Sequence, residues 1–312
     1  MASGEASLRR RLGLGGAVVI GLGSMIGAGV FVVFAPAAAA AGHTLLIGLV
    51  IAAVVAYLNA MASAQLATAY PTSGGTYVYG RERLGEWWGF TAGWGFVVGK
   101  TASAAAMALA FGAYVVPTPG LVQRLVAALA VLALGVVNVL GVHRTAWVTA
   151  MLVGLTLASL MLVILVGWPG TGQGLPSLAC LVCVDNWYGT IQSAGLLFFA
   201  FAGYARIATL GEEVVDPRRT IPRAILLALA ITVLVYAGIG IATLSALGPE
   251  RLAASAAPLR DVMVAAGFGA LAPVVQVGAA LASLGALLTL MAGIGRTVLA
   301  MGRNQDLPGW LA

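Results

Sequence analysis

The chain has 312 residues and a mass of 31.5 kDa; 61% of its residues are hydrophobic, 8% are charged, and the mean hydropathy is +1.02. A soluble domain carries about 25% charged residues, so this composition excludes a soluble globular protein, a disordered chain, a collagen-like repeat and a disulfide mini-protein. The net charge of +6, from 16 Lys+Arg against 10 Asp+Glu, reads as basic loops beside a membrane, with no nucleic-acid partner.

The N-terminus Met1-Ala-Ser-Gly-Glu lacks the cationic head, short apolar core and small-residue cleavage site of a signal peptide in that order. Residues 1–14 are therefore expected to be a cytoplasmic tail, and the first apolar segment to stay in the membrane. A crossing needs about 20 apolar residues. Eight stretches qualify, roughly 15–41, 45–69, 87–116, 121–140, 146–168, 188–210, 224–247 and 268–300. Between them lie turn signals: Pro71-Thr-Ser-Gly-Gly, Pro117-Thr-Pro-Gly120, Pro169-Gly-Thr-Gly, Asp216-Pro217 and Gly248-Pro249. The segments are continuously apolar and lack two-residue alternation, which excludes a β-barrel. The expectation is an all-α polytopic membrane protein.

With Arg9, Arg10 and Arg11 in the cytoplasm, eleven arginines fall on that side, the others being Arg81, Arg83, Arg144, Arg218, Arg219, Arg223, Arg296 and Arg303. Only Arg124, Arg251 and Arg260 fall opposite, which satisfies the positive-inside rule. Trp87, Trp88, Trp147, Trp168 and Trp187 sit near span ends, where indoles anchor at the headgroup level.

Span one contains Gly21-Leu-Gly-Ser-Met-Ile-Gly-Ala-Gly29, four glycines in nine residues, followed by Pro36. Each glycine weakens a helix by up to about 1 kcal/mol relative to alanine, so the backbone is expected to unwind there. Unwound backbone at membrane depth persists only where it is buried or lines a cavity; the alternative is that the glycines merely permit close helix packing. Span six carries a second interruption, from Ala200 to Tyr204 within Leu197-Phe-Phe-Ala-Phe-Ala-Gly-Tyr. Five spans separate the two, so they run in opposite directions, and paired interrupted helices point to a transporter site between repeats.

Gly23-Ser-Met-Ile-Gly-Ala-Gly-Val-Phe31 and Phe198-Phe-Ala-Phe-Ala-Gly-Tyr204, running into Glu212-Glu-Val-Val-Asp-Pro-Arg-Arg-Thr-Ile-Pro-Arg223, resemble the amino acid, polyamine and organocation transporter superfamily. Tyr70-Pro-Thr-Ser-Gly-Gly-Thr-Tyr77 and Arg296-Thr-Val-Leu-Ala-Met-Gly-Arg-Asn-Gln-Asp-Leu-Pro308 extend the resemblance over the whole chain. It implies a leucine-transporter-type five-plus-five inverted repeat working by alternating access. Residues 15–168 would be the first repeat and 187–312 an incomplete second one. The chain stops twelve residues after Ala300, so the last helices of the second repeat are absent; a fragment is the favoured reading and an outside partner the other.

The resemblance implies a substrate carboxylate on the amides of Gly27, Ala28 and Gly29, and an ammonium on carbonyls near Ser24, Met25 and Ile26 of span one and Ala200, Phe201 and Gly203 of span six. Phe199 matches an aromatic gating position and Tyr204 closes the second interruption. Many relatives carry a lysine midway along span five and an acidic residue after the span six break; here Thr156 and Ala205 stand at those positions. Two other cations fall inside spans, Lys100 in span three and Arg206 in span six. A central Lys or Arg costs about 2.5–3.5 kcal/mol on insertion scales, so each is expected to face a partner or water. Lys100 is read as a titrating group or a fixed stand-in for a cation, and Arg206 as a permanent charge paired with carbonyls or forming a gate.

Glu212, Glu213, Asp216, Arg218 and Arg219 read as a solvated charge network at the cytoplasmic end of span six. His43 and His143 are too isolated for a metal site. Cys180 and Cys183 lie in an outward loop where a local disulfide could close, and no zinc-ligand cluster accompanies them. No catalytic triad, paired intramembrane carboxylates or phosphate loop is present, so neither an enzyme nor a cofactor is expected. The sequence reads as a plasma or inner membrane permease for an amino acid or related small amine. Protons are the expected driving ion, lipid the surroundings, and a small neutral substrate fits two central cations better than a polyamine does. A membrane-embedded sensor or an exchanger is the alternative.

Overall fold

The computed structural model describes residues 12–70, 74–116, 120–140, 142–168, 186–210 and 212–311. Cys180, Cys183 and the side chain of His143 lie outside the described residues, as does most of the N-terminal tail. Helix α1 spans Leu14–Met25, α2 Gly29–Val32 and α3 Phe34–Ala41. Pro36 has no amide hydrogen to give Val32, which divides α2 from α3 without reversing the chain. The reversal comes at Gly42, whose φ of 56° suits a residue without a Cβ, and a 3-10 turn Gly42–Thr44 leads into α4, Leu45–Ala69.

A short helix α5, Thr76–Leu84, precedes α6, Glu86–Val115; α7 is Leu121–Val139, α8 Val142–Gly167 and α9 Trp187–Phe201. The N-terminus of α9 is capped by Asn186, whose Oδ1 accepts from the Gly189 amide at 2.9 Å. After a 3-10 segment Tyr204–Thr209 come α10, Pro217–Ala253, kinked at Gly248 (φ 71°) before Pro249, then α11, Pro258–Ala265, and α12, Ala272–Arg303. Eight helical segments among the described residues are long and apolar enough to cross a membrane, matching the expected number. The sole extended pairing among the described residues is a parallel bridge between Leu12 and Val214.

The segments divide into centre and rim. The most apolar stretches of the first and last crossings, carried by α1 and α12, are 61% buried, against 11% for α6 and for α7. Helix α1 packs on α8, α10 and α12, α4 on α9 and α10, and α6 along α12. The first interrupted helix, α1, thus has protein around its irregular backbone, while the crossing that contains the second, α9, is 47% buried over its most apolar stretch. The five span-end tryptophans are all exposed.

Candidate functional site

The first interruption follows from its glycines. Helix α1 makes its last regular bond from Ile26 N–H to Leu22 O at 2.7 Å, after which Gly27 N–H turns back to Met25 O at 3.1 Å. The amides of Ala28 and Gly29 have no partner among the described residues, while Val30 N–H reaches Gly27 O at 3.3 Å. Of the three amides expected to be open, two are. The Ser24 hydroxyl donates to Ile20 O at 2.9 Å and so stays on its own helix.

The second interruption begins where α9 ends. Ala202 N–H bonds Phe199 O at 3.2 Å, and the chain tightens into the 3-10 segment through Arg206 N–H to Gly203 O at 3.0 Å. Gly203 lies directly against the Ser24–Met25 peptide, so closely that a Cβ there would collide with the Ser24 carbonyl. The two interruptions therefore touch through backbone.

Tyr236, in the middle of α10 and fully buried, joins them. Its hydroxyl donates its one proton to Met25 O at 2.6 Å and has Ala200 O, the weaker share of that bond, at 3.3 Å, so it touches a carbonyl from each break. Its ring packs on Phe201 at 4.9 Å and edge-on to Phe34 at 6.5 Å. A lone tyrosine in a 37-residue apolar helix gave no site signal in the sequence beyond its polar tip.

Beside the breaks is a cavity of about 100 Å³. Ser24, Met25, Gly27, Gly29, Phe199, Ala200, Gly203, Lys100 and Arg206 line it. Ile26 and Phe201 instead turn into the apolar core, Ala28 is buried without lining the cavity, and Tyr204 packs half-buried against the core. The sequence reading missed the contribution of α6 beyond Lys100, which brings Phe96, Ser103 and Met107, and that of α12, which brings Ala286 and Leu290.

Thr156 stands midway along α8. It is buried and donates to Leu152 O of its own helix at 2.8 Å, the usual alternative for a threonine in an apolar helix. Where α1, α8 and α12 converge, Gly23 faces Thr149, Val153 and Thr289, and the Thr149 hydroxyl is buried with no partner among the described residues.

The two intramembrane cations share the cavity. Lys100 Nζ sits 5.9 Å from the Phe96 ring centroid. Arg206 is 6% exposed, and its Nε and Nη2 have no hydrogen-bond partner. The expected carbonyl partners of Arg206 are thus not found among the described residues.

At the C-terminal end of α12 the charges behave oppositely. Arg296 grips Glu213 through Nε–Oε2 at 2.6 Å and Nη2–Oε1 at 2.9 Å, and its Nη1 bonds Ala292 O at 2.6 Å. Arg303 Nη1 meets Glu212 at 3.0 Å, and Arg81 bridges Asp306 and Glu86, each at 2.8 Å. Tyr77 donates to Asp306 Oδ2 at 2.5 Å. Burial, then the hydrogen bond and charge of Asp306, push the Tyr77 phenol up to about 12. Glu212 and Glu213 are thus enclosed ion-pair partners, which corrects the expectation of a solvated network for them; Asp216 and Arg219, 4.0 Å apart, and Arg218 are exposed and fit that description. Leu12 completes this end, with its N–H on Glu213 O at 3.0 Å and its carbonyl accepting from Val215 at 2.9 Å.

A family model described as amino acid permease matches residues 16–312. An uncharacterized transporter of Mycobacterium tuberculosis is 59% identical over 98% of this chain and 68% of its own length. A branched-chain amino acid permease of Bacillus subtilis is 26% identical over 99% of this chain and 70% of its own, and a methylthioribose transporter of the same organism 28% identical over 99% and 71%.

Proposed function

This chain belongs to the amino acid permease family, and from that premise we propose that it moves an amino acid or related small amine across the cytoplasmic membrane by alternating access. The coarse part, a multi-pass membrane transporter, rests on the family and on eight apolar helices. The rest is our reading of the site.

The observation that carries it is the meeting of two interrupted helices beside one cavity. Each break exposes backbone groups that a regular helix would consume, and such groups suit a zwitterion. In this reading the unpartnered amide of Gly29 takes the substrate carboxylate and the carbonyls of Ser24, Met25, Ala200 and Gly203 supply acceptors for its ammonium, while Ile26, Ala28 and Phe201 shape the breaks from behind the cavity wall. Phe199, exposed beside the cavity, acts as the aromatic gate and Tyr204 closes the second break. The two breaks belong to inverted repeats, residues 15–168 and 187–312, with the N-terminus cytoplasmic by the arginine distribution. Protons drive uptake, with Lys100 the titrating group and Thr156 in the place where relatives carry a coupling lysine.

The named substrates of the relatives are a branched-chain amino acid and methylthioribose, so similarity near 27% does not select between amino acid and sugar derivative. The test is uptake of labelled amino acids, amines and methylthioribose into proteoliposomes, with and without an inward proton gradient. Accumulation of one amino acid that collapses with the gradient is the expected result. Saturable binding without any flux would replace the permease with a sensor.

A further inference from the structure

We propose that Lys100 and Arg206 together form an anion subsite in the cavity, separate from the backbone amides of the first break, that takes one small monoanion during the transport cycle. This rests on reading the cavity as the substrate site. The ion arrives in one of two chemically equivalent forms: the side-chain carboxylate of an acidic amino acid, or a free ion such as chloride bound beside a neutral substrate.

Charge balance is the first argument. The cavity is bounded by Phe96, Met107, Phe199 and Leu290 together with backbone, and no carboxylate lines it. Two cations held there without an anion are costly, since moving a charge out of water is repaid only by an opposite charge or a full set of hydrogen bonds. Among the described residues the acid whose charge favours Arg206 is Glu213, and both oxygens of that carboxylate are already held by Arg296.

Geometry is the second. Arg206 lines the cavity while 94% buried, and its Nε and Nη2 are enclosed with no partner, so the edge that a carboxylate grips in bidentate fashion comes into use when the guanidinium turns toward the cavity. The backbone of the residue is fully occupied, with its N–H on Gly203 O at 3.0 Å and its carbonyl accepting from the Thr209 hydroxyl at 2.8 Å. The guanidinium lies over Gly293 of α12, where even a methyl group would collide with Nη1. Lys100 stands on the facing helix α6 with its charge on the Phe96 ring and no ion pair among the described residues.

The test has a binding arm and a flux arm. In detergent, the melting midpoint of the protein is followed against sodium aspartate, sodium chloride and, as a bulky control at equal ionic strength, sodium gluconate. Aspartate or chloride should raise the midpoint above the control. Lys100→Met and Arg206→Met should raise the half-saturating concentration about 30-fold or more, whereas Lys100→Arg should retain the response. Equilibrium dialysis of labelled aspartate and labelled chloride on the unsubstituted chain gives the same answer if a variant does not fold.

In proteoliposomes, uptake of aspartate or glutamate that is indifferent to chloride assigns the subsite to the substrate side chain. Uptake of a neutral amino acid that requires chloride assigns it to a free ion. If neither ion shifts the midpoint beyond gluconate, or if both methionine variants respond like the parent, the subsite does not exist. Neutral uptake independent of chloride alongside that result would leave the permease reading standing. Absence of all amino acid uptake would remove that reading, whatever the binding arm gives.

Discussion

Two charged regions of this molecule solve the same problem in opposite ways. At the C-terminal end of α12, Arg296, Arg303 and Arg81 are each matched to a carboxylate, and Glu213 is held by two hydrogen bonds while 8% exposed. In the cavity beside the helix breaks, Lys100 and Arg206 have no acid at all among the residues that line it. The paired end closes the bundle with charges that have no capacity left over. The unpaired centre keeps its capacity for something that is not part of the chain. Satisfied charges hold elements together, and buried unsatisfied ones mark where a ligand is due.

The largest test of this contrast is Glu213→Ala. It strips the partner from Arg296 and removes the attraction that Arg206 feels, so a destabilisation of about 3–5 kcal/mol is expected, read as a fall in melting midpoint in detergent. A change under about 1 kcal/mol would show that the paired end is no more structural than a surface salt bridge.

Tyr236→Phe probes the other region. Removing the hydroxyl leaves Met25 O with the Gly27 amide alone, at a cost of about 0.5–1.5 kcal/mol, while leaving the ring contacts with Phe201 and Phe34 in place. Both stability and substrate affinity should fall, because the same oxygen holds the two breaks together. If only stability falls, Tyr236 supports the fold and has no part in shaping the cavity.

The smallest effect concerns Tyr77. Its folded pKa of about 12 exceeds the ordinary tyrosine value of about 10, so the stabilisation it contributes is complete below pH 10 and is lost as pH rises to 12. Asp306→Asn should lower the Tyr77 pKa, as followed by phenolate absorbance, and shift that loss to lower pH. An unchanged titration would mean that burial alone sets the value.

Much of the centre was legible because backbone breaks are written in composition. Four glycines in nine residues told where α1 would stop, and the interruption from Ala200 to Tyr204 where α9 would stop, since helix propensity is local. Which residues of each break border the cavity depends on the neighbouring helices, so Ile26, Ala28, Phe201 and Tyr204 lie away from it. Tyr236 was not legible, because a tyrosine in an apolar helix reads equally as packing, and its role depends on carbonyls 211 and 36 residues away. The pairing of Glu213 with Arg296 was missed for the same reason: 83 residues intervene, and a glutamate beside arginines at a span end has the same local pattern whether enclosed or wet. Thr156 lies seven residues beyond Thr149, on the same face of α8, and the bond of its hydroxyl to Leu152 O is a detail that no local pattern discloses.

The bridge between Leu12 and Val214 has a consequence in time. Roughly two hundred residues separate its two sides, and at about 5–20 residues per second a ribosome needs about 10–40 seconds to deliver the second after the first. Throughout that interval the start of α1 has no partner for the Leu12 amide, and the first crossing waits for the sixth to emerge before its end can be fastened. Assembly of this bundle is therefore gated by synthesis: the earliest crossing is among the last to be locked.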